Sequence, residues 1–288
     1  MPIRNYKQFQ NVAMEGNDFY IGATERCLNK IAALNEGVKF LAELNGRGYR
    51  VTIRQQEGSG NGCAPQSAQV SPLFLQAVES RDDGLFRNEL NAAIGKAQRN
   101  GITLEHLARQ LAEGLTPATY SAQRNVVRPS SRIKAPVGST GQQIMALHAH
   151  ATMVAMGTLQ DLMNGRLGLS LLLQLRPGWD YDLARLLRNF LTPGRGGASV
   201  IQFDPADAKP CAIDPAMKNR PPALGLVHEM IHAWHNATGR SMRLAIAGHE
   251  KLEEVITTGL PPYNFEQYSD NKFRALWTTS FVELRTRY

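Results

Sequence analysis

The stretch PPALGLVHEMIHAWHNATG, residues 221–239, decides how this chain is read. Pro221 and Pro222 suit the first turn of a helix, where a missing N–H costs nothing. Leu224, Leu226, Val227, Ile231 and Trp234 supply an apolar face, and Gly239 stands where a left-handed C-cap is expected, with Arg240 just beyond. Inside this predicted buried helix lies His228-Glu229-Met230-Ile231-His232. Two histidines four apart project from one face, one turn above the other, so their imidazoles can grip one zinc ion. Glu229 between them can reach a water on that ion. The competing reading is a surface helix with unrelated polar residues. The capped, apolar flanks favour the site, because polar groups buried in a core need a partner and a metal ion serves all three.

A catalytic zinc usually has three protein ligands plus water. The H-E-x-x-H-x-x-G-x-x-H arrangement does not supply the third, because His235 occupies its glycine position. His235, one turn past His232, could flank the site. The better source is AGHEKLEEVITTGLPPY, residues 247–263, where Glu250, Glu253, Glu254 and Thr257 sit at helical spacings and Gly259-Leu260-Pro261-Pro262 ends the helix. Such a helix, packed on the first, could present Glu253 or Glu254. The two lie about 100° apart around a helix, so only one can face the metal.

Three segments, LGLVHEMIHAWHNATGR, LEEVITTGL and SDNKFRA, together resemble the NleD-like zinc endopeptidases, effectors that pathogenic bacteria inject into host cells by type III secretion. That family shows an H-E-[LM]-[IV]-H-A helix closing with glycine, a Glu-Glu-x-x-Thr-x-Gly segment and an Asn-x-x-Arg. The corresponding residues are His228 to Ala233 with Gly239, Glu253-Glu254 with Thr257 and Gly259, and Asn271 with Arg274. The likeness is specific over 198–275, weaker over 24–65, and leaves out 75–190, which read as an insertion. It implies a zincin-like core, peptide-bond hydrolysis in the host cytoplasm, a host protein substrate with MAP kinases as a target class, and Glu254 rather than Glu253 as third ligand.

Composition agrees with such a protein. The chain has 288 residues, 43% of them hydrophobic, enough for one large or two small domains. No apolar run reaches 18 residues, since even LGLSLLLQL is broken by Ser170 and Gln174, so no membrane span is expected. The start, MPIRNYKQFQNVAMEGNDFY, lacks the apolar centre of a general signal peptide and is compatible with type III export. Cys27, Cys63 and Cys211 are odd in number and far apart, which fits a reduced compartment and excludes a C-x-x-C metal knuckle. The net charge is +7, with Arg124, Arg128, Arg132 and Lys134 clustered among Pro, Ser and Gly. That context reads as a solvated linker rather than a nucleic-acid groove, because no aromatics are interleaved.

The expected fold is α+β and mostly helical, with a small sheet beside the metal helix and a helical insertion. Residues 1–20 read as an export or flexible segment, 21–65 as the N-terminal part of the catalytic core, 75–190 as the insertion and 196–288 as the catalytic region. ATERCLNKIAALNEGVKFLAELN reads as one amphipathic helix with Leu28, Ile31, Leu34, Val38 and Leu41 on one side. YRVTIRQ follows as a strand, and EGSGNGCAPQSAQVSP as a loop. Helices are expected around 72–96 and 103–114, over the methionine-rich GQQIMALHAHATMVAMGTLQDLMNG, and over 180–190. His148 and His150, two apart, point to different sides of that helix and cannot chelate one metal together. Pro193-Gly194-Arg195-Gly196-Gly197 precedes a strand rather than a helix, so it is a flexible approach and not a phosphate loop. The strand it leads to, ASVIQFD, could align substrate as an edge.

The chemistry expected is zinc-assisted hydrolysis, with Glu229 taking a proton from the attacking water and delivering it to the leaving amine. Tyr263, Tyr268, His249 and Arg274 are candidates to steady the oxyanion, and Arg274 could equally serve as a partner for a carboxylate. Other readings are a zinc hydrolase acting on wall peptides, a zinc-bearing binding protein acting through its helical insertion, and a basic nucleic-acid binder.

Overall fold

The computed structural model describes residues 1–56, 61–65, 72–113, 119–121, 126–128, 133, 135–206, 220–242, 252–260, 263–277 and 284–285. Contacts divide the chain into two units, one joining Met1–Pro72 to Pro193–Tyr288, the other formed by Leu73–Thr192.

The first unit begins with β1 (Ile3–Tyr6) and β2 (Phe9–Glu15), an antiparallel pair. These residues, expected to be an export or flexible segment, carry Val12 and Met14 into the core. α1 (Asp18–Ala32) starts at Asn17, whose side chain accepts from the Tyr20 amide. The single amphipathic helix expected here is two, because the chain turns at Ala33–Leu34 into α2 (Asn35–Gly46). Gly37 permits that turn, since a Cβ there would collide with the Ile31 carbonyl. Val38, expected in the apolar stripe, is exposed in consequence, while Phe40, Leu41 and Leu44 are buried. β3 (Val51–Gln55) and β4 (Gly62–Pro65) follow.

The second unit is built of helices around its own core. α3 (Leu73–Ser80) and α4 (Asp83–Arg99) replace one expected helix. Arg81, at φ +54°, breaks the run, and Asp82 restarts it by accepting from the Leu85 amide. α5 (Leu104–Glu113), the hairpin β5 (Thr119–Ser121) and β6 (Val126–Arg128), α6 (Gly141–Met163), α7 (Leu169–Leu175) and α8 (Trp179–Leu187) complete it. Thr140 and Gln143 form a capping box at the start of α6. Phe74, Leu90, Ile94, Leu111, Leu159 and Leu183 are among its buried residues.

The chain then returns to the first unit with β7 (Ser199–Phe203), the metal-helix candidate α9 (Pro222–Thr238), α10 (Leu252–Thr258) and α11 (Asp270–Leu276). The sheet order is β1-β2-β3-β7-β4, with β2, β3 and β7 parallel and the outer two strands antiparallel to their neighbours. ASVIQFD is therefore not an edge. It is paired on both sides, and the edge strand beside it is β4, whose Gly and Pro give it a loop-like composition. α9 packs on β4 and β7, with Leu224, Leu226, Val227, Met230 and Ile231 in the shared core.

The glycine-rich approach to β7 is pinned rather than free. Gly239 caps α9 at φ +67°, and a Cβ on it would strike the Gly194 backbone. The Gly194 amide donates to the Gly239 carbonyl at 2.8 Å, and the Gly197 amide to the Asn236 carbonyl at 3.2 Å. The segment thus fastens the C-terminal end of α9 to the start of β7.

Candidate metal centre

Every residue of α9 from Ala223 to Ala237 is buried, so His228, Glu229 and His232 are held inside the first unit by an otherwise apolar helix. The two imidazole rings lie 4.9 Å apart, edge to face. α10 packs across α9 and brings one oxygen, Glu254 Oε2, to 3.2 Å from His228 Nε2 and 3.2 Å from His232 Nε2. Ligands at ~2.0–2.1 Å from a tetrahedral zinc are themselves roughly 3.3 Å apart, so these three atoms have the spacing such an ion requires. Glu254 keeps a fifth of its side-chain surface exposed, which leaves the group open on one side.

A second group, His232, His235 and Glu253, also has ligand-like spacing. It shares His232 and is closed, with His235 wholly buried. Glu253 Oε1 lies 2.5 Å from His235 Nδ1 and 3.2 Å from His232 Nδ1, while its Oε2 accepts from the Met242 amide at 2.6 Å. Thr257 Oγ1 adds a contact of 3.2 Å to His232 Nδ1. Occupying Nδ1 in this way fixes the ring and leaves Nε2 directed at the open group.

His228 has its own buried carboxylate. Asp270 Oδ2 stands 3.7 Å from His228 Nδ1, and Arg274 Nε donates to Asp270 Oδ1 at 3.0 Å. Arg285 Nη1 lies 3.8 Å from Asp270 Oδ2, held there because Asn271 bonds both the amide and the carbonyl of Arg285. The Asn-x-x-Arg motif of the sequence thus stands behind the histidine. Arg274, a candidate for steadying an oxyanion, is fully buried and paired with Asp270. Tyr263 is buried and is not among the residues lining the cavity, and Tyr268 packs tilted against Phe40 and edge to face with Trp234 in the core. His249, Glu250, Cys211, Arg124, Arg132 and Lys134 lie outside the described residues, as does the side chain of Arg128.

The electrostatics are those of a cluster built to hold positive charge. Burial alone would lower His232, but its bonds to Glu253 and Glu254 push it up to about 10, and Asp270 and Glu254 raise His228 against the same burial. Burial would raise the carboxyls, yet their histidine partners hold Glu253 and Glu254 well below the usual range and, with Arg274, bring Asp270 to about 2. Three ionised carboxylates around three imidazoles can be compensated by protons or by a divalent cation.

A cavity of about 280 Å³ opens beside this group, lined by Glu229, His232, Glu253 and Glu254 from the helices, Asn236 and Ser241, and Asn61 to Ala64 of β4 and its approach. Asn236 Nδ2 donates to Ser199 Oγ at 3.1 Å, tying its floor to the sheet. Asp270, Asn61 and Ser241 carry no motif that marks them in the sequence. Asp270 had one legible signal, its i, i+4 spacing to Arg274.

Residues 131–277 match the family model of effector proteins designated Peptidase M91, just over half of the chain. The chain belongs to this family. It is an effector-family peptidase, and its histidines and glutamates could hold a metal ion. The matched range takes in residues 131–190, so the family pattern reaches into the second unit beyond the motifs first recognised. No curated protein and no solved structure matches the chain.

Proposed function

We propose that this chain is a zinc-dependent endopeptidase that acts on a host protein. The observation that carries this reading is the position of Glu254 Oε2, equidistant from the Nε2 atoms of His228 and His232, with Glu229 on the same cavity. His228, His232 and Glu254 would hold the ion, which would supply an acidified water and a Lewis acid for the scissile carbonyl. Glu253 and Asp270 orient the two histidines from behind. Glu229 accepts a proton from the attacking water and passes it to the leaving amine. The substrate lies extended along β4, whose outer edge has no partner strand among the described residues, so backbone pairing can align the scissile bond over the cavity.

A MAP-kinase-type target and delivery by type III secretion rest on the family resemblance. No helix of the described residues is long and apolar enough to cross a membrane. The second unit offers a groove of about 480 Å³ lined by His150, Val154, Leu175, Arg176 and Trp179, which suits target selection. It also favours the alternative reading, a zinc-bearing binding protein that works through this unit. Terminal proteomics on host lysate separates the two. New N-termini produced by the chain but not by its Glu229→Ala variant support the endopeptidase; stoichiometric zinc with no new terminus supports the binding protein.

A further inference from the structure

Gly225 marks a feature that the hydrolytic residues do not use. It stands three residues before His228 and four before Glu229, so at 100° per residue it lies between their directions, one turn nearer the helix start. Glycine is unfavourable inside a helix, yet α9 carries one on its chemical face. Two donors occupy the space it leaves. A Cβ at 225 would lie 2.8 Å from Asn61 Nδ2 and 3.1 Å from Arg220 Nη2, so the amide and the guanidinium rest directly on the helix backbone. Side chains on a helix lean toward its N terminus, which tips Glu229 toward the same spot.

Both donors are fixed. Asn61 Oδ1 accepts from the Asp204 amide at 3.1 Å, which turns the Asn61 NH₂ toward the helix, and Asn61 lines the cavity shared with Glu229. Arg220 is tethered by Pro221 at the start of α9 and is half-buried. Its guanidinium makes no hydrogen bond or ion pair within the described residues. Burial lowers its pKa, while the charges of Asp270 and Glu229 act to raise it. A partly desolvated guanidinium that no carboxylate of the described residues pairs with, beside a fixed amide, is suited to a planar or tetrahedral anion.

We propose that Arg220 and Asn61, seated on Gly225, form a receptor for an anionic side chain, carboxylate or phosphate ester, on the substrate residue beside the scissile bond. The inference rests on the peptidase reading and names the substrate class for it: peptides with an acidic or phosphorylated residue at the cleavage point.

The test uses fluorogenic peptides built on a site cut by the full-length chain, differing only at the residues flanking the scissile bond, which are Glu, phosphoserine, Gln or Lys. The wild-type chain should cut the Glu or phosphoserine peptide at least 10-fold faster in kcat/KM than the Gln peptide, and faster still than the Lys peptide. The Glu and phosphoserine arms decide between carboxylate and phosphate. Arg220→Glu should reverse the order toward Lys. Arg220→Gln should level Glu and Gln, and Gly225→Ala, which displaces both donors without altering charge, should weaken the preference. Zinc content and far-UV circular dichroism are read on each variant; should Arg220→Glu not fold, the Gln and Ala variants carry the same comparison. A wild-type chain that cuts without acidic preference, or variants that keep the wild-type order, overturn the inference alone. A chain that cuts nothing overturns the peptidase reading beneath it.

Discussion

At the scale of single residues, the proposed roles separate by what each substitution removes. Glu229→Gln keeps shape and hydrogen bonding but cannot take a proton, so zinc content by elemental analysis should stay at wild type while cleavage falls ~10²–10⁴-fold or more. Glu254→Ala removes the oxygen shared by both Nε2 atoms and should lose the metal outright. Glu253→Ala should behave differently. It leaves His235 and the Met242 amide without their carboxylate, costing about 3 kcal/mol in a denaturant melt. Zinc should be retained in this variant, with affinity weakened ~10–100-fold. If both variants lose the metal equally in a chelator competition, Glu253 is more than an orienting group. His228, Glu229 and His232 were legible in sequence because a helix fixes their relative geometry locally. Of the carboxylates behind them, Glu253 could be named only as one of two candidates and Asp270 not at all, because both reach the histidines from later segments, and residue spacing carries no information about how separate helices cross.

Among the elements, the periodic apolar run of α9 was readable together with both of its ends, since proline at the start and glycine at the stop are local signals. The split of one amphipathic run into α1 and α2 was not, because it depends on Gly37 closing on Ile31, a contact between the two halves. β4 reads as a loop in the sequence for a related reason. Its four residues form a strand only because β7 offers them a ladder. Gly239 can be tested directly. Gly239→Ala forces a Cβ into a left-handed position and onto Gly194, so it should lower stability by about 1–3 kcal/mol by thermal melt. An unchanged melting temperature would show that the clasp between 193–197 and α9 is dispensable. The buried phenols between α1, α2 and the core make a second prediction. Burial pushes Tyr20 far up, and burial with the Glu43 hydrogen bond pushes Tyr268 up to about 12. A folded pKa above the unfolded value near 10 favours the neutral form in the native state. That stability is complete below pH ~10 and is lost as pH rises through 12. Phenolate absorbance at pH 11 should therefore be smaller for the native chain than for the chain in denaturant.

Across the whole molecule, two cores imply two separable losses. Leu159→Ala, wholly buried in the second unit, should cost ~2–5 kcal/mol there and lower its melting transition, while zinc stoichiometry stays at wild type. Loss of zinc together with that transition would mean that the two units melt as one. The sheet itself has a consequence in time. β3 pairs in parallel with β7, Val51 opposite Ser199, and the whole second unit is threaded between them. A ribosome adding ~5–20 residues per second leaves β3 waiting on the order of ten seconds or more for its neighbour. During that interval α9, α10 and α11 do not yet exist. The nascent chain therefore carries a sheet half with an open flank, and the residues proposed to hold the metal emerge only after β7 has closed that long connection.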